Sequence, residues 1–253
     1  MKIITIANQK GGVAKTTTAW NLSKELEQRG ERVLMIDLDP QTNLSLTAGV
    51  DLLNMPLTLF DVFRDKLNVS RALIPLTDTL HILVGGIDLA AADRTFTQLG
   101  REKMLSKALE GIKSEYDFCI IDTPPTLGVM NENALTCSDM VIIPIQADVY
   151  ALQGINQLYG FIEDIRENTN PDLDIAGILI TRVDSRTNLH NVLYPEFKKA
   201  AGSMNTRLFN TSIRSTITVG EAALNRESLT DYNASSTASK DYKAFTDEFL
   251  ELV

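Results

Sequence analysis

The sequence predicts an α/β fold, a doubly wound, mostly parallel sheet with helices on both faces. Short apolar runs alternate with helical patterns from end to end, and several runs are apolar almost throughout, as strands covered on both faces must be. A glycine-rich segment follows the first run directly, at a strand-to-helix junction. The strand-like runs are Ile3–Ala7, Val33–Leu38, Leu80–Val84, Phe118–Asp122, Met140–Ile145, Ile175–Thr181 and Leu208–Ile213. Between them, Ala14–Arg29 reads as a helix stopped by Gly30, followed by Arg101–Gly111, Thr126–Cys137, Tyr150–Thr169 and Leu189–Ala201. Ser239–Leu252 closes the chain as a helix, and the weakly periodic Asp51–Ser70 is expected to form short helices over loops. No repeat, low-complexity tract or linker interrupts this alternation, so residues 1–253 are expected to form one domain.

Composition narrows the function classes. Apolar content of 44% and charged content of 23% are those of a globular protein. No run approaches the ~20 apolar residues that span a bilayer, and residues 1–9 already read as strand, so neither anchor nor signal peptide is expected and the cytoplasm is the implied compartment. Cys119 and Cys137 read as small buried hydrophobes. A net charge of −9 argues against a surface coated all over by nucleic acid. The charge is uneven, however: Arg182–Arg226 holds seven basic and three acidic residues, about +4 in an acidic chain.

The glycine-rich segment is Lys10-Gly11-Gly12-Val13-Ala14-Lys15-Thr16-Thr17. Small residues between a strand and a helix N-terminus let backbone N–H groups converge on an anion. Lys15 is then expected to reach the β- and γ-phosphates of a nucleotide and the Thr16 hydroxyl to sit on Mg²⁺. Gln9 and Ala14 stand where the ordinary phosphate loop has Gly, and Ala14 is expected to keep φ negative.

Two later strands end in acids. In Asp37-Leu38-Asp39-Pro40-Gln41 the two carboxylates are expected on opposite faces, one of them toward the loop. In Ile121-Asp122-Thr123-Pro124-Pro125 a strand delivers one acid before a Pro-Pro turn, and Asp122 is expected to meet Mg²⁺ through water. Thr16, Asp39 and Asp122 form the candidate metal group.

These motifs together resemble those of the ParA/Soj-type partition ATPases of the ParA/MinD superfamily, whose deviant phosphate loop carries an extra lysine ahead of the glycines. The resemblance runs through Pro144-x-Gln146-x-Asp148-x-Tyr150, Thr181-x-x-Asp184-Ser185-Arg186-Thr187-Asn188, Glu221-Ala222 and Asp241-Tyr242. It implies a P-loop NTPase fold with ATP and Mg²⁺, a slow ATP hydrolase stimulated by a partner, and a homodimer closed around two ATP molecules. It further implies that Lys10 crosses to the partner subunit's nucleotide, that Asp39 orients the attacking water and that Asp122 senses the γ-phosphate. Lys10, Lys15 and Asp39 are therefore the candidate catalytic residues.

The resemblance also implies sequence-blind DNA binding, nucleoid association and a ParB-type centromere-binding partner. Arg186 matches one family arginine, while Thr218 stands at the place of another; Arg214, Lys198 and Lys199 are the further DNA-binding candidates. With the loop beginning at residue 10, no operator-binding domain is expected ahead of it. The alternative is a MinD-like positioning ATPase or another nucleotide switch without DNA binding. A membrane-binding tail is not expected, because Asp241, Asp247, Glu248 and Glu251 punctuate the apolar residues of the last helix. Thr181-Arg182-Val183-Asp184 faintly echoes the guanine-reading Asn-Lys-x-Asp of GTPases.

Overall fold

Apolar alternation sets the sheet. The computed structural model describes residues 1–253 apart from Pro56, Val149 and 185–188, and for 189–191 the backbone alone. Its strands are β1 (Lys2–Ile6), β2 (Val33–Asp37), β3 (Ile74–Pro75), β4 (Leu80–Val84), β5 (Phe118–Asp122), β6 (Met140–Gln146) and β7 (Asp174–Thr181). They form one sheet in the order β3-β4-β2-β5-β1-β6-β7, parallel except for β3. The helices are α1 (Lys15–Gln28), α2 (Asn43–Thr47), α3 (Leu59–Asp65), α4 (Ala92–Thr95), α5 (Met104–Leu109) and α6 (Val129–Cys137). Then come α7 (Ala151–Asn168), α8 (Leu189–Ser203), α9 (Thr218–Asn225), α10 (Leu229–Asn233) and α11 (Thr237–Leu250).

Successive strand residues serve opposite layers. Ile4, Ile6, Val33, Met35 and Ile120 pack with Leu22 and Leu26 of α1 and with Phe245 and Phe249 of α11. Ile3, Leu34, Ile36 and Ile121 face the other way, onto Leu59 of α3, Leu105 and Leu109 of α5, and Ala134 of α6. Val141, Ile143 and Ile180 extend that second layer under α7 and α8. The register pairs Asp122 with both Ile6 and Asp37, so the carboxyl ends of β1, β2 and β5 lie level. The site is assembled at that edge.

Several expected elements differ in the structure. Leu208–Ile213 is not a ladder strand. It touches β7 at both ends, where Phe209 N donates to Ile178 O and Ile213 N to Ile180 O. Between them, the amides of Asn210 and Thr211 turn to the Glu248 carboxylate on α11, at 2.7 and 2.9 Å. Two amides satisfied by a side chain are lost to the ladder. The helix expected from Thr126 begins at Val129 because Asp93 of α4 accepts the Val129 N–H at 2.9 Å and caps it there. Within Asp51–Ser70, α3 is started by a reciprocal Thr58–Asp61 capping box.

The last helix spends its apolar face inside the protein: Tyr242, Phe245 and Phe249 are buried, with Phe245 edge-on to Phe209 at 4.9 Å. Phe245→Ala is expected to cost about 3–5 kcal/mol in urea denaturation. A loss below about 1 kcal/mol would contradict this anchoring.

Candidate active site

The loop after β1 is held from behind. Asn8 Nδ2 donates to Pro144 O at 2.7 Å, and Asn8 Oδ1 accepts the Lys10 N–H at 2.9 Å. Thr181 Oγ1 stands 3.0 Å from Val13 O, and Arg182 Nη1 donates to Gly12 O at 2.9 Å. These bonds fix the backbone of the loop, and α1 starts immediately after it, so the N–H groups of its first turn have no acceptor within the helix and suit an anion. Gly12 has φ +77, a conformation glycine adopts without strain. Ala14 also lies in the left-handed region, with φ +63, so the expectation of a negative φ is corrected. The tight turn into α1, where Thr18 N donates to Ala14 O at 2.9 Å, imposes that geometry at a cost of about 1 kcal/mol for a residue with a Cβ.

In front of the loop lies a cavity of about 700 Å³. Gly11, Gly12, Ala14, Lys15, Thr16, Thr17 and Asp39 line it, and Arg182, Ile213–Thr216, Val219, Gly220 and Tyr242 are among its other lining residues. Lys15 is buried and its Nζ donates to Lys10 O at 3.2 Å. Burial lowers its pKa, opposed by the charges of Asp122 and Asp39. Val13 and Lys10 do not line the cavity. Val13 is buried, and Lys10 pairs with Asp148, its side chain 42% exposed.

The acids divide the work between them. Asp122 is fully buried; Thr16 Oγ1 donates to its Oδ2 at 2.6 Å, while Oδ1 has no partner. Burial and the neighbouring Asp37 push Asp122 up to about 8. Asp37 is raised to about 6 by burial, although Ser45 donates to its Oδ2 through both N (2.9 Å) and Oγ (2.7 Å). Strand alternation does not separate Asp37 from Asp39, since residues two apart share a face. Instead β2 ends at Asp37, and the turn after it carries Asp39 into the cavity wall.

Among the described residues, the structure does not gather the basic candidates Arg214, Lys198 and Lys199 into one surface. Arg214 is bound to Asp241 of α11 through N (3.0 Å), Nε (2.9 Å) and Nη2 (2.5 Å), so its charge is matched at the cavity wall. Lys198 and Lys199 are exposed on α8, whose Phe197 packs in the layer opposite α11. Arg186 lies outside the described residues. Arg182, Asp148 and Asp241 all engage the site or its frame; the sequence offered Arg182 only within the echo of a guanine-reading motif, and gave Asp148 and Asp241 no role there. Asp148 and Asp241 stood inside quoted motifs, which was the available signal.

Comparison with known proteins agrees with this geometry. A family model described as an AAA domain matches residues 1–175. The chain is 37% identical to the sporulation initiation inhibitor protein Soj of Bacillus subtilis over 243 residues, 95% of each chain. It is 34% identical to the chromosome partitioning protein ParA of Myxococcus xanthus, covering 99% of this chain and 88% of that one. Among solved structures, a cobyrinic acid a,c-diamide synthase from Mycobacterium smegmatis with bound ADP and magnesium superposes with a TM-score of 0.86 at 33% identity, covering 99% of this chain and 94% of that one.

Two outcomes are expected of this site without ligand. Ala14→Gly removes the left-handed penalty and, against glycine's larger chain entropy, should leave stability unchanged or raise it by up to about 1 kcal/mol; Ala14→Val should lower it. A fall in melting temperature for Ala14→Gly would contradict the loop geometry. Asp122 and Asp37 hold protons in the folded chain that the unfolded chain releases near 3.8. Their contribution is therefore complete below that pH and is lost as pH rises through about 6 for Asp37 and about 8 for Asp122. Ligand-free stability should decline across this window, and Asp122→Asn should flatten the decline above pH ~6. An unchanged pH profile in that variant would contradict the assignment.

Proposed function

The chain belongs to the ParA/Soj family of partition ATPases, and on that premise we propose that it is an ATP-dependent dimerising ATPase that binds DNA without sequence preference and segregates or positions a DNA cargo with a ParB-type partner. The observation that carries the nucleotide part is the stack of Thr16 over Asp122. A buried carboxylate with one oxygen taken by Thr16 and the other unpartnered suits a Mg²⁺ ion whose bound water would donate to it. Thr16 and Asp122 would hold Mg²⁺, with Asp39 at the cavity wall beside them; the ion would supply positive charge against the phosphates. The loop amides and Lys15 would bind the triphosphate, and Asp39 would orient water for attack.

Lys10 is the link between nucleotide and dimer. In the single chain it rests on Asp148, a partly exposed pair worth no more than about 1 kcal/mol, so it can be exchanged cheaply for a partner subunit's phosphates. Slow turnover follows, because a lone subunit lacks that amine. Hydrolysis would release the clamp.

DNA binding has less support within the chain. The basic balance of Arg182–Arg226 favours it. The engagement of Arg214 with Asp241 and the threonine at 218 favour instead a nucleotide switch without DNA binding. An amide synthesis through a cysteine nucleophile, a reading that the diamide synthase name of the structural relative invites, would call for an accessible thiolate. Cys119 is buried with its thiol pushed well up, and Cys137 is raised to about 12 and donates to Ala134 O.

Retention on random-sequence duplex DNA, measured with and without Mg-ATP at two salt concentrations, tests the reading. Retention should require Mg-ATP and weaken steeply with salt. Lys15→Ala should lose about 30-fold or more in ATP affinity, and retention with it. Arg186→Glu should bind ATP normally but DNA poorly. Retention indifferent to ATP, or none under any condition, would leave the switch without its DNA arm.

A further inference from the structure

The turn that follows β5, residues 123–128, carries Pro125 into the lining of the nucleotide cavity, three residues after Asp122. Its first residue is tied to the sheet, where Thr123 Oγ1 donates to Ile6 O at 2.9 Å. Asn131, near the start of α6, reaches back with Nδ2 to Pro124 O at 3.1 Å and to Thr126 O. At the far end the N-cap of α6 is Gly128, which has no side chain to offer the helix. The cap comes from another segment: Asp93 of α4 accepts the Val129 N–H on Oδ1 at 2.9 Å. The Asp93 carboxylate lies against Gly128, where a Cβ would stand 2.6 Å from Oδ2 and 2.9 Å from Oδ1. Gly128 has φ −98, so glycine is required there by space and not by backbone angle.

A second cavity, of about 360 Å³, has Asp93, Gly128, Leu89 and Met130 in its lining. Asp39, Gln41 and Pro125 line both cavities and so form the partition between them. A partition with open space on either side lacks the packing that holds a core residue, and its position depends on the ties of its backbone. We infer that Asp93 is a positioning residue for ATP hydrolysis: by pinning the start of α6 it holds Pro125 in the wall that the turn shares with Asp39. The inference rests on the ATPase reading above. Asp93 is absent from the lining of the nucleotide cavity, and the triphosphate would be gripped by the loop after β1 and by Lys15. Loss of the tie therefore falls on the rate and spares binding, since a displacement of about 1 Å near reacting groups can cost about 100-fold in rate. Asp93 itself is exposed, and its segment is packed through Leu89, Ala92 and Phe96, so its replacement leaves the fold intact.

Single-turnover hydrolysis and equilibrium binding of Mg-ATP, measured on the wild type, Asp93→Ala, Asp93→Asn and Gly128→Ala, separate rate from affinity. Asp93→Ala should hydrolyse about tenfold or more slowly while binding ATP within about twofold of the wild type. Asp93→Asn keeps an acceptor for the Val129 N–H and should recover most of the rate. Gly128→Ala drives the carboxylate away from the other side and should repeat the loss. Amide exchange over residues 123–131 without nucleotide reads the tie itself; it should quicken in Asp93→Ala and Gly128→Ala and stay near the wild type in Asp93→Asn. Unchanged exchange or an unchanged rate in Asp93→Ala, or a loss of rate matched by an equal loss of ATP affinity, would overturn the positioning role and leave the ATPase reading intact. Wild-type protein that binds Mg-ATP without ever hydrolysing it would remove the ATPase reading and this role together.

Discussion

Asp122 has no access to water, and it can hold a negative charge only when positive groups are brought to it. Thr16 and Lys15 come from a single segment, the start of α1, so the carboxylate fixes where the phosphate loop must end. The adjacent strand places Asp37 level with it, which adds a second buried acid and raises both. Two hydrogen bonds from Ser45 hold Asp37 and thereby seat α2 beside the cavity. Without ligand this cluster is electrostatically unsatisfied: Lys15 is drawn toward neutrality by burial, and Asp122 toward protonation. An anionic phosphate beside Lys15 and a cation beside Asp122 would return both to their charged forms. Ligand binding and the stability of the sheet edge are therefore coupled through the same few atoms.

The part of the cavity lining formed by Ile213–Thr216 depends on the last helix, α11. Asp241 on α11 takes three hydrogen bonds from Arg214, and the neighbouring Tyr242 hydroxyl meets Thr18 of α1 at 3.1 Å. Glu248, two turns further on, draws the amides of Asn210 and Thr211 off the sheet. One helix thus braces both α1 and the segment between β7 and α9. Its aromatic residues are consumed in the layer beneath, which leaves its acids for these contacts and for solvent.

Much of the sheet was legible because its strands are nearly unbroken apolar runs; β4 and β5 match their runs residue for residue. The grouping of the loop with Asp39 at one cavity was legible too, since a parallel sheet brings its strand ends to one edge. What failed needed partners distant in sequence. The stretch Leu208–Ile213 has strand composition, but Glu248 competes for its amides. Arg214 read as a surface cation because nothing nearby in sequence announces Asp241. The φ of Ala14 is imposed by loop closure, against its own preference. The two-residue β3 and the short helices α9 and α10 are too brief for periodicity to reveal.

In the proposed switch a nucleotide would join two subunits, with Lys10 released from Asp148 to serve the other chain. Sedimentation velocity with Mg²⁺ and a nonhydrolysable ATP analogue, beside the same sample with ADP, addresses this most directly. The account predicts a dimer with the triphosphate, a monomer with ADP, and a monomer with either nucleotide for Lys10→Ala that still binds them. A wild-type chain that stays monomeric when saturated with the triphosphate would contradict it.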